Sequence, residues 1–214
     1  MKSSRTIAAV IGGLLAAIGF RRVVRPWYLR WGATDAELAR PMPLDERVAN
    51  PRLRSTMAIT IDAPPERIWP WLAQMGEGDR AGYYSFEPVE RALGLEVANS
   101  WRILPQHQHL EVGQAIDRAG TMTVLAVEPN RHLALGPPPG GPVAATWAFA
   151  LYPLDARRTR LVTRVQSAWS YLRMLRDTPV YTWPFYLLIE PGAFVMEWQM
   201  LRGIKARAES DPSS

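Results

Sequence analysis

The stretch AITIDAPPERIWPWLAQMG, residues Ala58–Gly76, decides the fold class because it joins a strand directly to a helix. In Ser55–Ile61, Met and Ile residues alternate with Thr and Ala, which is the two-residue period of a half-buried strand. Asp62–Glu66 then supplies a capping acid, two prolines and a first-turn carboxylate, a pattern typical of a helix start. Pro70 removes an amide donor inside that helix, so the helix is predicted to be short and kinked.

The sequence after this unit predicts two hairpins and two more helices. One hairpin is predicted from runs of β-forming residues at 121–127 and 131–135, and the other from runs at 145–152 and 160–166. A short helix is predicted within 83–95. Pro191 is expected to open an amphipathic C-terminal helix, with Phe194 and Trp198 on its apolar face and Arg207 on its polar face. Antiparallel strands with segregated helices are typical of the α+β class.

Four segments in this order resemble the SRPBCC family, the START and birch-pollen-allergen superfamily that also contains polyketide cyclases. They are Ala58–Gly76, VLAVEPNRHLAL (Val124–Leu135), TRLVTRV (Thr159–Val165) and EPGAFVMEWQMLRGIKARAE (Glu190–Glu209). A further stretch, RPWYLRWGATDAE (Arg25–Glu37), is similar to a prefix found on membrane-associated members that have no assigned activity.

The resemblance implies a helix-grip fold, in which a curved antiparallel sheet of about seven strands wraps around the long C-terminal α-helix. Such a fold encloses a cavity for an apolar or amphipathic molecule. The superfamily uses one frame for lipid carriers, hormone receptors, cyclases and oxygenase subunits, so the resemblance does not specify a function.

Length and composition favour one domain with a short appendage. The 214 residues are predicted to divide into an apolar N-terminal segment (1–24), an extended linker (25–54), the helix-grip domain (55–209) and a disordered tail (210–214). The net charge is +5, but the arginines are scattered, so no nucleic-acid partner is expected. The absence of cysteine excludes disulfides, thiolate metal sites and cysteine nucleophiles. No cofactor is expected, and the oligomeric state stays open.

The N-terminal segment has a basic, apolar, basic pattern. Lys2 and Arg5 precede the uncharged run Ile7–Phe20, which Arg21 and Arg22 close. A helix of this run covers roughly 21 Å, whereas a hydrocarbon core is roughly 30 Å thick, so the run alone is short for a span. Three interpretations stay open: a membrane anchor, a cleaved signal peptide, and a buried or frayed helix. If the segment is an anchor, its heavier positive flank predicts a cytoplasmic domain.

A second uncharged segment, Val180–Ile189, suits a membrane interface, a lid or simple burial under the last helix. Together with the N-terminal run, it predicts a membrane-surface location. The residues predicted to contact the membrane are Ile7, Val10, Leu14, Leu15, Phe20, Trp27, Trp183 and Phe185.

Aromatic residues are the predicted walls of the ligand pocket. They are Trp71, Tyr83, Trp101, Trp147, Phe149, Phe194 and Trp198, for which core packing is the alternative. Tyr84, Glu90 and His132 are weak catalytic candidates, because a tyrosine with a carboxylate or histidine in an apolar pocket can polarise a carbonyl and move a proton. The alternative is a set of solvated or outward-facing side chains.

Two smaller sets of polar residues carry weaker signals. His107 and His109 share one face if their segment is a strand, but Glu111 is the best available third ligand, so surface histidines are favoured and no metal site is predicted. Arg102, Arg160 and Arg164 either hold an anionic headgroup or are solvated strand residues.

The leading hypothesis from the sequence is a membrane-associated protein that binds a lipid or other apolar small molecule. One alternative is a polyketide cyclase-like or dehydratase-like enzyme that uses Tyr and carboxylate or His groups in the same cavity. A third is a structural or regulatory membrane partner.

Overall fold

The computed structural model describes residues 12–13, 18–48, 50–138, 140, 145–168 and 183–210. After a π-helical turn (Phe20–Val24), the helices are α1 (Arg25–Leu29), α2 (Asp35–Ala39), α3 (Pro65–Ala73), α4 (Glu87–Ala92) and α5 (Trp183–Glu209). The strands are β1 (Leu53–Ile61), β2 (Thr123–Glu128), β3 (His132–Gly136), β4 (Ala145–Pro153) and β5 (Thr159–Ser167). Short 3₁₀ turns lie at Asp45–Arg47 and Pro105–His107.

The five strands form one antiparallel sheet in the order β1-β5-β4-β3-β2. Each strand matches a run predicted from the sequence, and the sheet packs against the long C-terminal helix, so the α+β prediction is confirmed. The described residues contain five strands, so the expected number of about seven is not met there. Between α4 and β2 the chain makes only an isolated bridge, Ala115 with Thr123, because glycines at 94, 113 and 120 and Pro105 interrupt regular pairing.

One face of the sheet is covered by α5 and α3. Alternate residues of the strands point to this face and meet the apolar faces of both helices. The fully buried members of this core include Ile61, Ile68, Leu72, Leu133, Phe149, Leu161, Leu201 and Ile204.

The opposite face of the sheet is covered by the chain before β1. Arg164 of β5, only 1% exposed, donates to the carbonyls of Glu37, Leu38 and Arg40 and to the carboxylate of Asp45. Arg160 also faces this segment, because it forms hydrogen bonds with both carboxylate oxygens of Glu37. Two of the three arginines that were considered for an anionic headgroup therefore hold residues 37–45 against the sheet.

The C-terminal helix begins earlier than predicted. α5 starts at Trp183, and Pro191 lies inside it. The helix continues through Pro191 because proline removes only one backbone amide donor, and Glu190 just before it is anchored by side-chain bonds. Arg207 was expected on the polar face of this helix, but it is buried, with its guanidinium stacked on the rings of Tyr84 and Trp101.

Helix α1 runs beside the first half of α5 and in the same direction. Arg25 pairs with Glu190 at 2.7 Å, and the Tyr28 hydroxyl donates to the same carboxylate at 2.6 Å. Further along, Trp27 contacts Phe194 edge-on, with 5.7 Å between the ring centroids. These contacts bring residues 18–24 and the start of α5 to the same end of the fold.

The residues predicted to contact the membrane lie at this end where the structure describes them. Phe20 and Trp27 are exposed, and Trp183 and Phe185 belong to the first turns of α5. Ile7, Val10, Leu14 and Leu15 lie outside the described residues. No helix in the described ranges combines the length and the apolar character needed to cross a bilayer.

A close approach between α5 and the loop before α4 generates the first prediction. A Cβ at Gly203 would lie 2.3 Å from the carbonyl oxygen of Tyr84, whereas a Cβ at Gly192 would meet no atom within 4 Å. Gly203→Ala is expected to lower the free energy of unfolding by about 1–3 kcal/mol, because the backbone of the loop must move. Urea denaturation followed by circular dichroism measures this change.

The matched control is Gly192→Ala in the same helix. It is expected to raise the free energy of unfolding by up to about 1 kcal/mol, because alanine is the better helix former. Equal effects of the two substitutions would contradict the close approach of α5 to Tyr84.

Candidate ligand-binding cavity

A cavity of about 440 Å³ lies between α5 and the sheet and is bounded on its other sides by α4 and nearby loops. Its apolar wall consists of Leu93, Leu95, Met122, Trp147, Val165, Ala193, Met196 and Met200. Its polar groups come from Glu77, Tyr83, Ser85, Glu90, Asp117, Thr121 and Glu197. The cavity therefore combines a mainly apolar wall with several carboxyl and hydroxyl groups.

Helix and strand geometry explain why these residues meet. Ala193, Met196, Glu197 and Met200 follow the three- and four-residue spacing that places side chains on one stripe of a helix. On the sheet, Trp147 of β4 lies directly opposite Val165 of β5, so both side chains point to the face covered by α5.

Glu197 is held against the sheet by a short chain of hydrogen bonds. The Trp147 indole can only donate, so its Nε1 donates to the Thr163 hydroxyl at 3.2 Å, and that hydroxyl donates to Glu197 Oε1 at 2.9 Å. Burial raises the pKa of Glu197 to about 7, although these hydrogen bonds act in the opposite direction. Glu197 therefore titrates near neutral pH, on the wall of an apolar cavity.

Glu90 lies on α4 and is the most deeply buried carboxyl group of the cavity. Glu90 is 3% exposed, and its Oε2 has no hydrogen-bond partner among the described residues. Burial, assisted by the negative charge of Glu87, raises the pKa of Glu90 to about 7. A protonated Glu90 avoids most of the cost of a buried, unpaired charge.

The loops around the cavity add one phenol and one ionised carboxylate. Burial and the nearby Glu77 raise the pKa of Tyr83, so its hydroxyl stays protonated. Asp117 behaves in the opposite way. Burial works against its ionisation, but hydrogen bonds from Thr121 and Met122 lower its pKa below the ordinary value.

Of the aromatic residues predicted to form the pocket, Tyr83 and Trp147 line the cavity. Phe149 is fully buried in the core, and Phe194 and Trp198 pack against the aromatic rings of Tyr28 and Trp31. The remaining two, Trp71 and Trp101, line a separate groove of about 660 Å³ at the C-terminal end of α5.

That second groove is larger but chemically different. Charged side chains, including those of Arg67, Arg102 and Arg207, make up much of its wall, and Trp101 at its edge is 63% exposed. Small-molecule sites are mostly apolar with a few placed polar groups, so the cavity beneath α5 is the better candidate.

The three catalytic candidates do not come together. Glu90 lines the cavity, but the Tyr84 hydroxyl donates to the Trp71 carbonyl at 2.9 Å, outside the cavity wall. His132 lies on β3 with its Nδ1 3.6 Å from Glu128, also outside that wall. Of these three candidates, Glu90 alone lines the cavity, and the tyrosine beside it there is Tyr83.

The two histidines that were expected at the surface differ in burial. His107 is buried, with its Nε2 3.1 Å from the Asp79 carbonyl and its Nδ1 3.3 Å from Arg80, whereas His109 is exposed. Within the described ranges, no group of three or more His, Asp or Glu side chains is arranged to hold a metal ion.

Sequence reasoning missed Glu197 and the two methionines beside it. The available signal was the one acidic residue in a mostly apolar part of the last helix, between Phe194 and Leu201. Helix periodicity does not tell whether a residue at the border of the apolar face points to the core or to solvent. The orientation of Glu197 is known only once α5 is packed on the sheet.

No protein-family model and no curated protein matches this chain. Among solved structures, a polyketide-cyclase-like protein from Corynebacterium glutamicum is 13% identical, with a TM-score of 0.43 over 71% of this chain and 88% of that one. An aromatase/cyclase from Streptomyces sp. R1128 is 14% identical, with a TM-score of 0.39 over 73% of this chain and 93% of that one. A protein from Arthrobacter aurescens is 17% identical, with a TM-score of 0.41 over 75% and 88%. Similarity at this distance carries no argument about function, which therefore depends on the cavity.

The carboxyl groups of the cavity predict an unusual dependence of stability on pH. With pKa values raised from 4.5 to about 7, Glu90 and Glu197 keep their protons in the folded state at pH values where the unfolded chain has released them. Below the pKa of the unfolded chain, each group contributes its full share to the free energy of unfolding. That share is lost as pH rises through about 7, and it amounts to at most about 3 kcal/mol per group. Glu197→Gln and Glu90→Gln are each expected to be more stable than the wild type at alkaline pH.

Urea denaturation at a series of pH values between about 5 and 8 tests this expectation. In each variant, the free energy of unfolding should fall less with rising pH than in the wild type, because glutamine is neutral throughout. Glu111→Gln, at an exposed position, is the control and should follow the wild type. A wild-type free energy of unfolding that rises across this range would overturn the assignment.

Proposed function

We propose that this protein binds an apolar small molecule in the cavity beneath α5. The observation that carries the proposal is the cavity itself, a space of about 440 Å³ walled by Leu93, Met122, Trp147, Met196 and Met200. This volume lies within the range of roughly 300–1,000 Å³ that is typical of small-molecule sites. A mainly apolar wall favours an apolar occupant because binding removes both surfaces from water.

Binding without conversion is the function that the contacts support best. Of the groups proposed for cyclase chemistry, Tyr84 and His132 do not line the cavity. A cavity filled by the protein's own tryptophans would favour a structural or regulatory membrane partner instead. Trp147 is the only tryptophan among the described residues that line the cavity.

The test uses the full chain and N-phenyl-1-naphthylamine, a very weakly basic apolar probe whose fluorescence rises in apolar sites. We expect saturable binding to the wild type. Ala193→Trp is expected to weaken it at least tenfold, because an indole at this exposed position on the cavity rim obstructs the opening. Val195→Trp places the same indole on an exposed position of the same helix outside the cavity wall.

The control is expected to bind the probe as the wild type does. Loss of binding in both variants would point to a general effect of the indole, and an unchanged Ala193→Trp would place the probe elsewhere. Failure of the wild type to bind any apolar probe would sink the proposal.

We further propose that the protein contacts a membrane through the end of the fold where α1 and α5 begin. Supporting the proposal, Ile18, Phe20, Val23, Trp27 and Leu188 are all exposed there. Exposed Arg21 and Arg22 lie within the same segment and add positive charge that favours anionic lipid headgroups. Apolar groups beside basic groups are typical of surfaces that insert shallowly into a bilayer.

Two valines with nearly equal exposure provide a matched test. Val23 is 68% exposed at this end of the fold, and Val112 is 67% exposed in a distant loop. Val23→Glu is expected to reduce binding of the full chain to mixed phosphatidylcholine and phosphatidylglycerol vesicles about fivefold, because one charge at an anionic surface contributes about 1 kcal/mol. Co-sedimentation measures the bound fraction, and Val112→Glu should leave it unchanged. Equal losses in the two variants would count against this surface.

A further inference from the structure

The charge of the cavity is opposite to that of the chain. The chain has 25 Lys and Arg against 20 Asp and Glu. Among the described residues that line the cavity, four carry carboxyl groups and none is Lys, Arg or His. The four are Glu77, Glu90, Asp117 and Glu197. The described wall of this cavity in a basic protein therefore carries acids and no cations.

Basic side chains near the cavity are engaged elsewhere. Arg80 donates to the carbonyls of Ala73 and Met75, both at 2.6 Å. Arg118 pairs with Glu96 on the outer side of its loop. The acids of the cavity are therefore not neutralised by these neighbouring guanidinium groups.

Glu90 has the clearest need for an external partner. It is nine-tenths buried or more, lines the cavity, and leaves Oε2 without a hydrogen bond in the described part of the chain. Glu87, its neighbour on α4, is already bonded to the Asn99 amide and to Arg91. Because a buried polar atom without a partner is unfavourable, a donor supplied by the ligand stabilises the complex.

Two further features favour a donor that also carries positive charge. Asp117 stays ionised at the cavity wall. Glu197 accepts a hydrogen bond from the Thr163 hydroxyl, which holds its carboxyl group at the same wall. The rings of Tyr83 and Trp147, with centroids 6.2 Å apart, line the same space, and aromatic faces attract cations.

We propose that the molecule bound in this cavity carries a protonated amine, which pairs with Glu90 while its apolar part lies against Trp147, Met196 and Met200. The inference rests on the proposed function and specifies the class of ligand. A hydroxyl would satisfy Oε2 but would not offset the negative charge of Asp117. An anionic headgroup would meet four acids and no base among the described lining residues.

The test compares three ligands with the same alkyl chain: decylamine and decanoate, each below its micelle-forming concentration, and decanol below its solubility limit. Each displaces N-phenyl-1-naphthylamine from the full chain, and the concentration for half displacement is measured. We expect decylamine to act at a concentration about tenfold lower than decanol, the effect of one charge-assisted hydrogen bond. Decanoate should be the weakest of the three.

Substitution of the partner separates charge recognition from apolar binding. Glu90→Gln is expected to reduce the preference for decylamine over decanol from about tenfold to about twofold or less. Glu111→Gln, at an exposed position, should retain the full preference. Glu197→Gln provides a second test, with a smaller expected loss, if the Glu90 variant does not fold.

The preference should also grow with pH. The alkylammonium group stays protonated from about pH 6 to about pH 8, whereas Glu90 and Glu197 lose their protons near pH 7, so the pairing strengthens as pH rises. Among the described residues of the cavity wall, the other titratable groups are Glu77 and Asp117, which add negative charge, and Tyr83, which stays neutral. Decanol binding provides the baseline for this comparison.

The outcomes distinguish the two proposals. If the naphthylamine probe does not bind, the proposed function fails. If the probe binds but decylamine and decanol displace it equally, apolar binding stands and the amine inference is overturned. A full preference that survives in a folded Glu90→Gln variant would also overturn it.

Discussion

The packing of α5 across one face of the antiparallel sheet is the constraint on which the cavity depends. Over Met200–Ala208 the helix fits closely, with its buried residues against the core and Gly203 against the Tyr84 backbone. Nearer its N-terminal half, the same helix leaves a space above Trp147 and Val165. The cavity is therefore the part of this interface that the chain's own side chains do not fill, and close packing beyond it keeps the space open.

Electrostatics give this space its chemical character. A carboxyl group that is buried without a cation holds its proton to a higher pH, and two such groups line one cavity here. Arg160 and Arg164, by contrast, lie on the opposite face of the sheet, where their donors satisfy the carbonyls and carboxylates of residues 32–45. The sheet thus separates a face on which two arginines are paired with carboxylates from the acidic face of the cavity.

The strands were predictable because their signals are local. Each of the five lies within two residues of the run predicted for it, since alternation and turn residues are read from neighbouring positions. The start of α5 was missed because Pro191 is typical of a helix beginning, whereas Trp183–Glu190 extend the helix before it. Of the site, Tyr83, Trp147 and Glu90 were predicted. Glu197 was not, because the sequence does not tell whether an acid at the border of an apolar helix face points to the cavity or to solvent. Its orientation follows from its hydrogen bond with Thr163 of β5.

The pairing of β1 with β5 has a consequence for how the chain folds. These two strands are bonded from Leu53 opposite Ser167 to Ile61 opposite Thr159, and Glu190 joins α1 to α5 across a still longer separation. During synthesis, β1 therefore has no strand to pair with until β5 leaves the ribosome, and α1 meets Glu190 of α5 only after that. Folding of such non-local pairings is slow, because the entropy of closing the intervening chain is lost before the strand contacts form.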